Sequence, residues 1–358
     1  MNDLMDIPAF DVLVIGAGPA GSEASMAAAG AGAHTLCLTI NLDMVGYPPA
    51  TPALVDGPDD PRVSLIKEVT ALGGRLPDAL TREGVVVASE PEGKLFVDRR
   101  LLGLAYKEML ENEEGLELRQ ALVTSLEPST DGWIVGTKLG ERFSAATVVV
   151  AAGTFLLARV DDGGVVVPGG RIGEIPANAL AKNLQMAGFQ MIEVEAATMP
   201  RLDSRSVDHE VDYKSKSGHR LLVDGRQLGE MLGYGLESHG NRDSQLRLLR
   251  EHAGLSAAWI TRPSYSVFHY VLAAYQIGTN LESQALPGLF FAGRAAGSCN
   301  YLEAATLGLL AGRGAAMRQR AHDSNVLISD TNFVSKLCRR IAEQESRPVT
   351  IRTDDPGC

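Results

Sequence analysis

The run FDVLVIGAGPAGSEASMAAAGAGAHTLCLTIN, which begins at Phe10, constrains the fold more than any other part of the chain. It reads as a strand, a glycine turn, an Ala-rich helix and a second strand from His34 to Thr39, the βαβ unit of a Rossmann-type nucleotide-binding domain. Gly16, Gly18 and Gly21 stand in GxGxxG spacing between strand and helix. Gly16 permits the turn, Gly18 lets backbone approach a pyrophosphate, and Gly21 lets the helix pack on the strand. Pro19 and Ala20 open the helix and turn its N–H groups and partial positive charge toward the phosphates. The structural alternative is an accidental glycine turn, and the motif alone does not separate one dinucleotide from another. An acidic residue usually follows the second strand and serves the ribose; here Thr39, Asn41 and Asp43 occupy that region, so neutral side chains are expected to do that work.

A second glycine motif separates the dinucleotides. GLFFAGRAAG followed by EAATLGLLAG puts a buried strand, ending at Gly293, before a helix expected over Glu303 to Arg320. Flavoproteins hold the ribityl chain and flavin ring with this arrangement, and the helix start near Leu302 to Thr306 would face the flavin N1 and C2 carbonyl. FAD is therefore the expected cofactor. The fold class expected is α/β, a glutathione-reductase-like FAD-binding domain carrying an antiparallel β-meander and an inserted α+β substrate lobe. Residues 1–162 form the first part of the FAD domain, 163–287 the inserted lobe, 288–325 the closing strand and helix, and 326–358 a C-terminal helix and tail. Residues 40–61 are rich in proline and glycine, which predicts an irregular loop lying over something. Helices are expected at Arg62 to Leu72 and Asp98 to Asn112, and the meander over Leu116 to Val150.

Composition narrows the function classes. A net charge of −11 argues against a surface that grips phosphate backbones throughout. The four cysteines Cys37, Cys299, Cys338 and Cys358 show no CxxC pair, so neither a zinc site nor a disulfide framework is expected, and the scattered histidines give no metal site. No signal peptide or membrane span is read, and a cytoplasmic location is expected.

The residues resemble a known family, glucose-inhibited division protein A (GidA, also called MnmG). Its YDVIVIGGGHAG, THNLD and DALGG are similar to FDVLVIGAGPAG, TINLD and TALGG here, and further matches follow in order: AAGTF at Ala151 to Phe155, GGR at Gly169 to Arg171, PRxD at Pro200 to Asp203, RPxY at Arg262 to Tyr265 and LESxxxxGLFFAG at Leu281 to Gly293. The more distant methylenetetrahydrofolate-dependent tRNA methyltransferase TrmFO shares the flavin domain. The resemblance implies FAD, hydride chemistry on a one-carbon unit attached to nitrogen or to a pyrimidine, and, in the family, an aminomethyl-type group placed on C5 of a tRNA wobble uridine with a GTPase partner. It implies FAD contacts at Gly16, Gly18, Gly21, Thr39, Asn41, Gly153, Gly293 and Arg294, with Pro19, Ala20, Val123, Ala152, Ala304 and Ala305 as further candidates for cofactor binding, while Glu303 is either an acid favoured by the helix dipole or a flavin or substrate contact. Tyr47, Arg171 and Arg201 are candidates for substrate binding. His269 and Tyr270, which could move protons beside the flavin, and Cys299, in the turn before the flavin helix, are candidates for catalysis; packing and hydrogen bonding are the alternative for each. Arg201, Asp203 and Arg205 either pair with one another or hold an anionic substrate.

Three departures bear on function. Ala50 stands where the family's SCNPAIGG loop has its cysteine, and the stretch with the second family cysteine is missing. Glu195 replaces the lysine of the family's KTGTPPR. The family's C-terminal helical domain, which binds tRNA and the GTPase, is expected to be absent. The reading that follows is an FAD-dependent oxidoreductase transferring hydride to or from a carbon attached to nitrogen, on a small molecule or a modified pyrimidine. NAD(P)H or methylenetetrahydrofolate is a possible co-substrate, tRNA binding by the chain alone is expected to be weak or nil, and a homodimer is a further possibility. The alternatives are a compact tRNA uridine-modifying enzyme that needs a partner, and a noncatalytic FAD-binding subunit.

Overall fold

The computed structural model describes residues 7–50, 53–56, 62–89, 94–198, 200–206, 221–222, 233–234, 243, 247, 250–251, 255–319 and 336–339. The expected C-terminal helix at Asn332 to Glu345 and the histidines His209, His219, His239 and His252 therefore lie largely or wholly outside the described residues.

Strand β1 (Ala9–Ile15), helix α1 (Pro19–Gly30) and strand β2 (Thr35–Thr39) form the expected βαβ unit, with β1 and β2 parallel. Four further elements complete the lower half of the chain's first part: β3 (Ala53–Asp56), α2 (Arg62–Ala71), the short α3 (Leu76–Leu80) and β4 (Val86–Ser89). Then follow β5 (Lys94–Val97), α4 (Arg99–Asn112), β6 (Leu116–Gln120), β7 (Val123–Ser129), β8 (Gly132–Thr137) and β9 (Arg142–Val150). Asp98 caps α4 by accepting from the backbone N–H groups of Arg100 and Leu101 at 2.9 and 3.0 Å, a cap worth about 1 kcal/mol.

The central sheet runs β6-β2-β1-β9-β8-β7. Two expectations need correction here. Strand β6 belongs to the parallel part, paired with β2, so the meander is β7-β8-β9 rather than the whole stretch from Leu116. Residues 40–61 also carry regular structure, because Ala53–Asp56 pairs antiparallel with β5 beyond the proline cluster. Proline removes only its own ladder N–H and does not prevent the residues that follow it from pairing.

After β9 come β10 (Arg159–Asp162), β11 (Val165–Pro168), α5 (Asn178–Met186) and β12 (Met191–Ala197). The short strands β13 (Arg201–Leu202), β14 (Leu221–Leu222), β15 (Gly233–Tyr234) and β16 (Ile260–Arg262) lead to β17 (Ser266–Leu272). A second sheet, β11-β10-β17-β12, is antiparallel throughout. The chain then returns: β18 (Leu289–Phe291) pairs parallel with the C-terminal half of β9, and α6 (Tyr301–Gln319) follows it. Continuous apolar burial made β9 and β18 readable as inner strands; Val148, Val149, Val150, Leu289, Phe290 and Phe291 are all fully buried.

Helix α6 lies directly against α1. A Cβ at Gly308 would stand 2.0 Å from the Ala20 carbonyl oxygen, and one at Gly312 2.1 Å from that of Ala24. Two helix backbones meet there with no side chain between them, which the i, i+4 spacing of the glycines allows. Gly312→Ala should therefore force the helices apart, and overpacking of this kind costs about 1–3 kcal/mol. Urea denaturation should report a lower midpoint with an unchanged slope.

Candidate functional site

Where β1, β2 and β9 end, their loops enclose a cavity that extends to the start of α6. Gly16 adopts φ +100°, a left-handed conformation open to glycine, and a Cβ on it would meet the Ala151 carbonyl oxygen at 2.4 Å. A Cβ on Gly21 would stand 1.6 Å from the Gly16 oxygen. Both glycines are therefore needed by the protein's own packing. Gly18 differs: its φ of −67° suits any residue and a Cβ there would touch nothing within 4 Å. It lines the cavity, so the space its missing side chain leaves is ligand space.

Thr39, Asn41, Val123, Ala152 and Gly153 line the same cavity, as do Pro19 and Ala20 at the start of α1 and Arg294 and Ala304 at the far end. Gly21, Gly293, Glu303 and Ala305 do not. Gly293 makes the turn after β18 at φ +62°, packed so closely that a Cβ would lie 2.6 Å from that of Ala20. Glu303 serves its own helix: Asn300 Oδ1 accepts its N–H at 3.0 Å, and its Oε2 accepts the Cys299 N–H at 2.8 Å, a near-reciprocal cap. From the helix start, Asn300 and Tyr301 line the cavity together with Ala304, which falls within the expected Leu302 to Thr306 stretch, whereas Leu302 and Thr306 themselves do not.

Arg294 is the principal buried cation of the far end. Its Nε–H donates to His269 Nε2 at 3.2 Å, Nη1 donates to the Ser298 carbonyl at 2.8 Å, and Nη2 is buried with no hydrogen bond. Burial lowers its pKa to about 10, against an opposing pull from Glu303. A guanidinium held on two sides with a third N–H group left over fits an acceptor in the cavity. His269 is fully buried and does not line the cavity. Its Nδ1 faces the Val267 carbonyl at 3.3 Å, which makes Nδ1 the donor and Nε2 the acceptor for Arg294. Burial, with Arg294 second, lowers its pKa to about 3. It is thus a neutral positioning residue for Arg294 and has no free nitrogen for proton transfer. Tyr270, the next residue along β17, faces the other side of the sheet, opposite Glu193 and beside Arg159. Neither expected proton carrier lines the cavity.

Cys299 does line the cavity and is disulfide-bonded, while Cys37 and Cys338 are buried free thiols. Burial pushes Cys37 up to about 11 and Cys338 to about 12, so neither is a ready nucleophile. Among the described residues no three His, Cys, Asp or Glu side chains are placed to hold a metal ion, and no helix is long and apolar enough to cross a membrane.

The candidates for substrate binding gather at Tyr47. Arg201 donates from Nη2 to the Tyr47 oxygen, and the guanidinium carbons of Arg99 and Arg171 each lie 5.9 Å from its ring centre. Arg262 faces Arg201 across the β13–β16 pair, and burial lowers its pKa to about 10, with Arg201 and Arg99 acting in the same direction. Arg205 instead forms an ion pair with Asp203, so the three residues of that segment do not act as one unit. Tyr47 and Arg171 line the cavity with Met44 and the residues 48–50, which are the loop expected to lie over something; Arg201 reaches it through Tyr47. Arg99, Glu174 and Arg262 escaped the sequence reading.

Comparison with known proteins accords with this geometry. The family profile described as glucose inhibited division protein A matches residues 11–222 and 211–323. The chain belongs to that family. It is 29% identical to the tRNA uridine 5-carboxymethylaminomethyl modification enzyme MnmG of Geobacter sulfurreducens, over 97% of this chain and 67% of that protein. The enzyme of the same name from Pelobacter propionicus is 28% identical with the same shares, and the alignment spans 436 positions. That exceeds the 358 residues of this chain, so the relative carries segments inside the aligned region that are missing here. The structure of Aquifex aeolicus GidA superposes with a TM-score of 0.85 at 24% identity, over 96% of this chain and 70% of that one, which shows a common fold. The class anticipated from the two glycine motifs holds: the chain is an FAD-dependent oxidoreductase of the GidA family, with a Rossmann-type α/β fold.

Two outcomes follow from this geometry. Gly18→Val should leave the melting temperature of the apoprotein unchanged while abolishing bound flavin, because the side chain fits the empty cavity and blocks only the ligand; absorbance near the flavin bands measures it. For His269, a folded pKa of about 3 against an ordinary 6.5 means that the unfolded chain binds the extra proton. Stability should therefore be complete above about pH 6.5 and fall as pH drops toward 3, by at most about 1.4 kcal/mol per pH unit. Denaturation of His269→Gln over this range should show a shallower slope than wild type.

Proposed function

We propose that this enzyme acts on a uridine base in tRNA, with hydride transfer at a carbon attached to nitrogen, as the names of its relatives suggest for the substrate. The observation that carries the reading is the cavity itself: its glycine turn, Arg294 and the Tyr47 rim occur together in a chain that aligns with MnmG enzymes over 97% of its length.

A flavin bound in the cavity supplies hydride transfer at N5. The glycine turn at Gly18 and the start of α1 seat its pyrophosphate. Arg294, fixed by His269 and Ser298, offers Nη2 to an electron-rich oxygen or nitrogen at the far end. Tyr47 accepts from Arg201 and so keeps its own O–H for a substrate atom, which makes it the better candidate for proton donation than Tyr270. Arg99, Arg171 and Arg201 around it favour a substrate that carries negative charge. No free thiol among the described residues lines the cavity, since Ala50 stands in the loop where the family has a cysteine and Cys299 is oxidised. Covalent activation of the pyrimidine by a thiol is accordingly not part of this proposal.

The test is anaerobic. Flavin bleaching is followed with NADH, NADPH or methylenetetrahydrofolate, then tRNA lacking the C5 group is added with methylenetetrahydrofolate as the one-carbon donor and an amine as the nitrogen donor, and its nucleosides are analysed by mass spectrometry. A new C5-substituted uridine, with Tyr47→Phe at least about tenfold slower at unchanged flavin content, is the expected result. Rapid bleaching by a small amine with no change in the tRNA would overturn the tRNA reading in favour of a small-molecule amine oxidase.

A further inference from the structure

Helix and strand at the nucleotide end leave one requirement unmet. In a dinucleotide site a carboxylate near the end of the second strand accepts the ribose hydroxyls, and β2 here ends at Thr39 and is followed by Ile40 and Asn41. The nearest acid along the chain, Asp43, points away: its side chain is 91% exposed and stands 3.9 Å from Lys107. A carboxylate nevertheless reaches the cavity from elsewhere in the sequence.

Glu174 lines the cavity and its side chain is only 15% exposed. Its Oε1 accepts from Asn41 Nδ2 at 3.4 Å and from Arg171 Nη1 at 3.4 Å. Asn41 is itself oriented, because its Oδ1 accepts the Asp43 backbone N–H at 2.9 Å, which leaves the amide N–H₂ for Glu174. The turn that carries Glu174 is fixed by three bonds: its carbonyl accepts the Gly170 N–H at 3.3 Å, its N–H donates to the Arg171 carbonyl at 3.0 Å, and Thr154 donates to the Gly170 carbonyl at 2.7 Å. Arg171 is clamped over Phe155 with its guanidinium carbon 5.7 Å from the ring centre. Two donors thus hold Oε1, while Oε2 has no hydrogen bond among the described residues. A carboxylate oxygen only accepts, so Oε2 is available to a hydroxyl or N–H donor in the cavity.

We infer that Glu174, oriented by Asn41 and Arg171, is the carboxylate that receives the adenosine ribose hydroxyls of the cofactor, in the place that an acid after β2 fills in other dinucleotide sites. The assignment rests on the FAD reading of the cavity. It carries a specificity consequence: a carboxylate at this position repels a phosphate on the ribose 2′-oxygen and so favours an unphosphorylated adenosine.

Apoprotein is titrated with FAD by fluorescence quenching, and bound FAD is displaced by AMP or by adenosine 2′,5′-bisphosphate. Glu174→Gln should raise the FAD Kd about tenfold, or about 1.4 kcal/mol, at an unchanged melting temperature, and should narrow the preference for AMP over the bisphosphate. Asp43→Asn should change neither. An unchanged FAD Kd and preference in Glu174→Gln, or the loss found in Asp43→Asn instead, would overturn the assignment while leaving the FAD reading intact. If Glu174→Gln lowers the melting temperature, Glu174→Asp is compared with Glu174→Ala: tighter FAD binding by the charged variant supports the assignment, and equal binding overturns it. Wild-type apoprotein that takes up no FAD would overturn the FAD reading itself.

Discussion

The structure depends on the contact between α1 and the elements on either side of it. Below, Gly21 brings the helix onto the Gly16 turn; above, Gly308 and Gly312 bring α6 onto the carbonyls of Ala20 and Ala24. Dispersion and apolar burial over two backbones in contact need no long side chains, which is why an Ala-rich helix with almost no polar face can be the centre of the molecule. The same contact shapes the site. It brings the starts of α1 and α6 to a common cavity, which Gly18 also lines.

Burying charge beside such a core is costly unless every charge has partners. Glu23, inside α1, accepts from the Tyr106 hydroxyl at 2.7 Å and the Arg75 N–H at 2.9 Å, and burial still raises its pKa. Arg294 is treated differently, with His269 and the Ser298 carbonyl taking two of its donors and Nη2 left over. The comparison separates structural burial from functional burial: Glu23 closes the gap between α1, α4 and the loop before α3, whereas Arg294 sits at the cavity with hydrogen-bonding capacity to spare. His269 is what makes this possible, since a neutral imidazole can accept from a guanidinium where a second cation could not.

Much of the scaffold was legible because its signals are local. The GxGxxG turn, the continuous apolar runs of β9 and β18 and the small residues of α6 each declare themselves within a dozen residues. The site was legible where backbone makes it, at Gly16, Gly18, Ala152 and Gly153, and less so where side chains converge from distant segments. His269 and Tyr270 looked equally able to face a flavin, but a strand sends neighbours to opposite faces, and neither face of β17 at that point borders the cavity. Glu174 went unread although GGR at Gly169 to Arg171 had been noted, because its meaning comes from Asn41, 133 residues away. Likewise Arg99, in the first turn of α4, is 52 residues from Tyr47 in the chain, and only the fold brings the two together.

The basic rim around Tyr47 and the acidic balance of the chain act over different distances. At physiological ionic strength the Debye length is about 8 Å, so a net charge of −11 spread over the surface governs the approach of a polyanion mainly at low salt. Arg99, Arg171, Arg201 and Arg262 act at contact, partly removed from water, where screening is weaker. Salt therefore has two opposed effects on any anionic substrate of this cavity, easing its approach to an acidic surface and weakening its grip on the rim. A relative whose surface is basic overall would feel only the second. Overall charge and the arginines at Tyr47 thus act on an approaching anion over different distances, and the two properties can change independently in evolution.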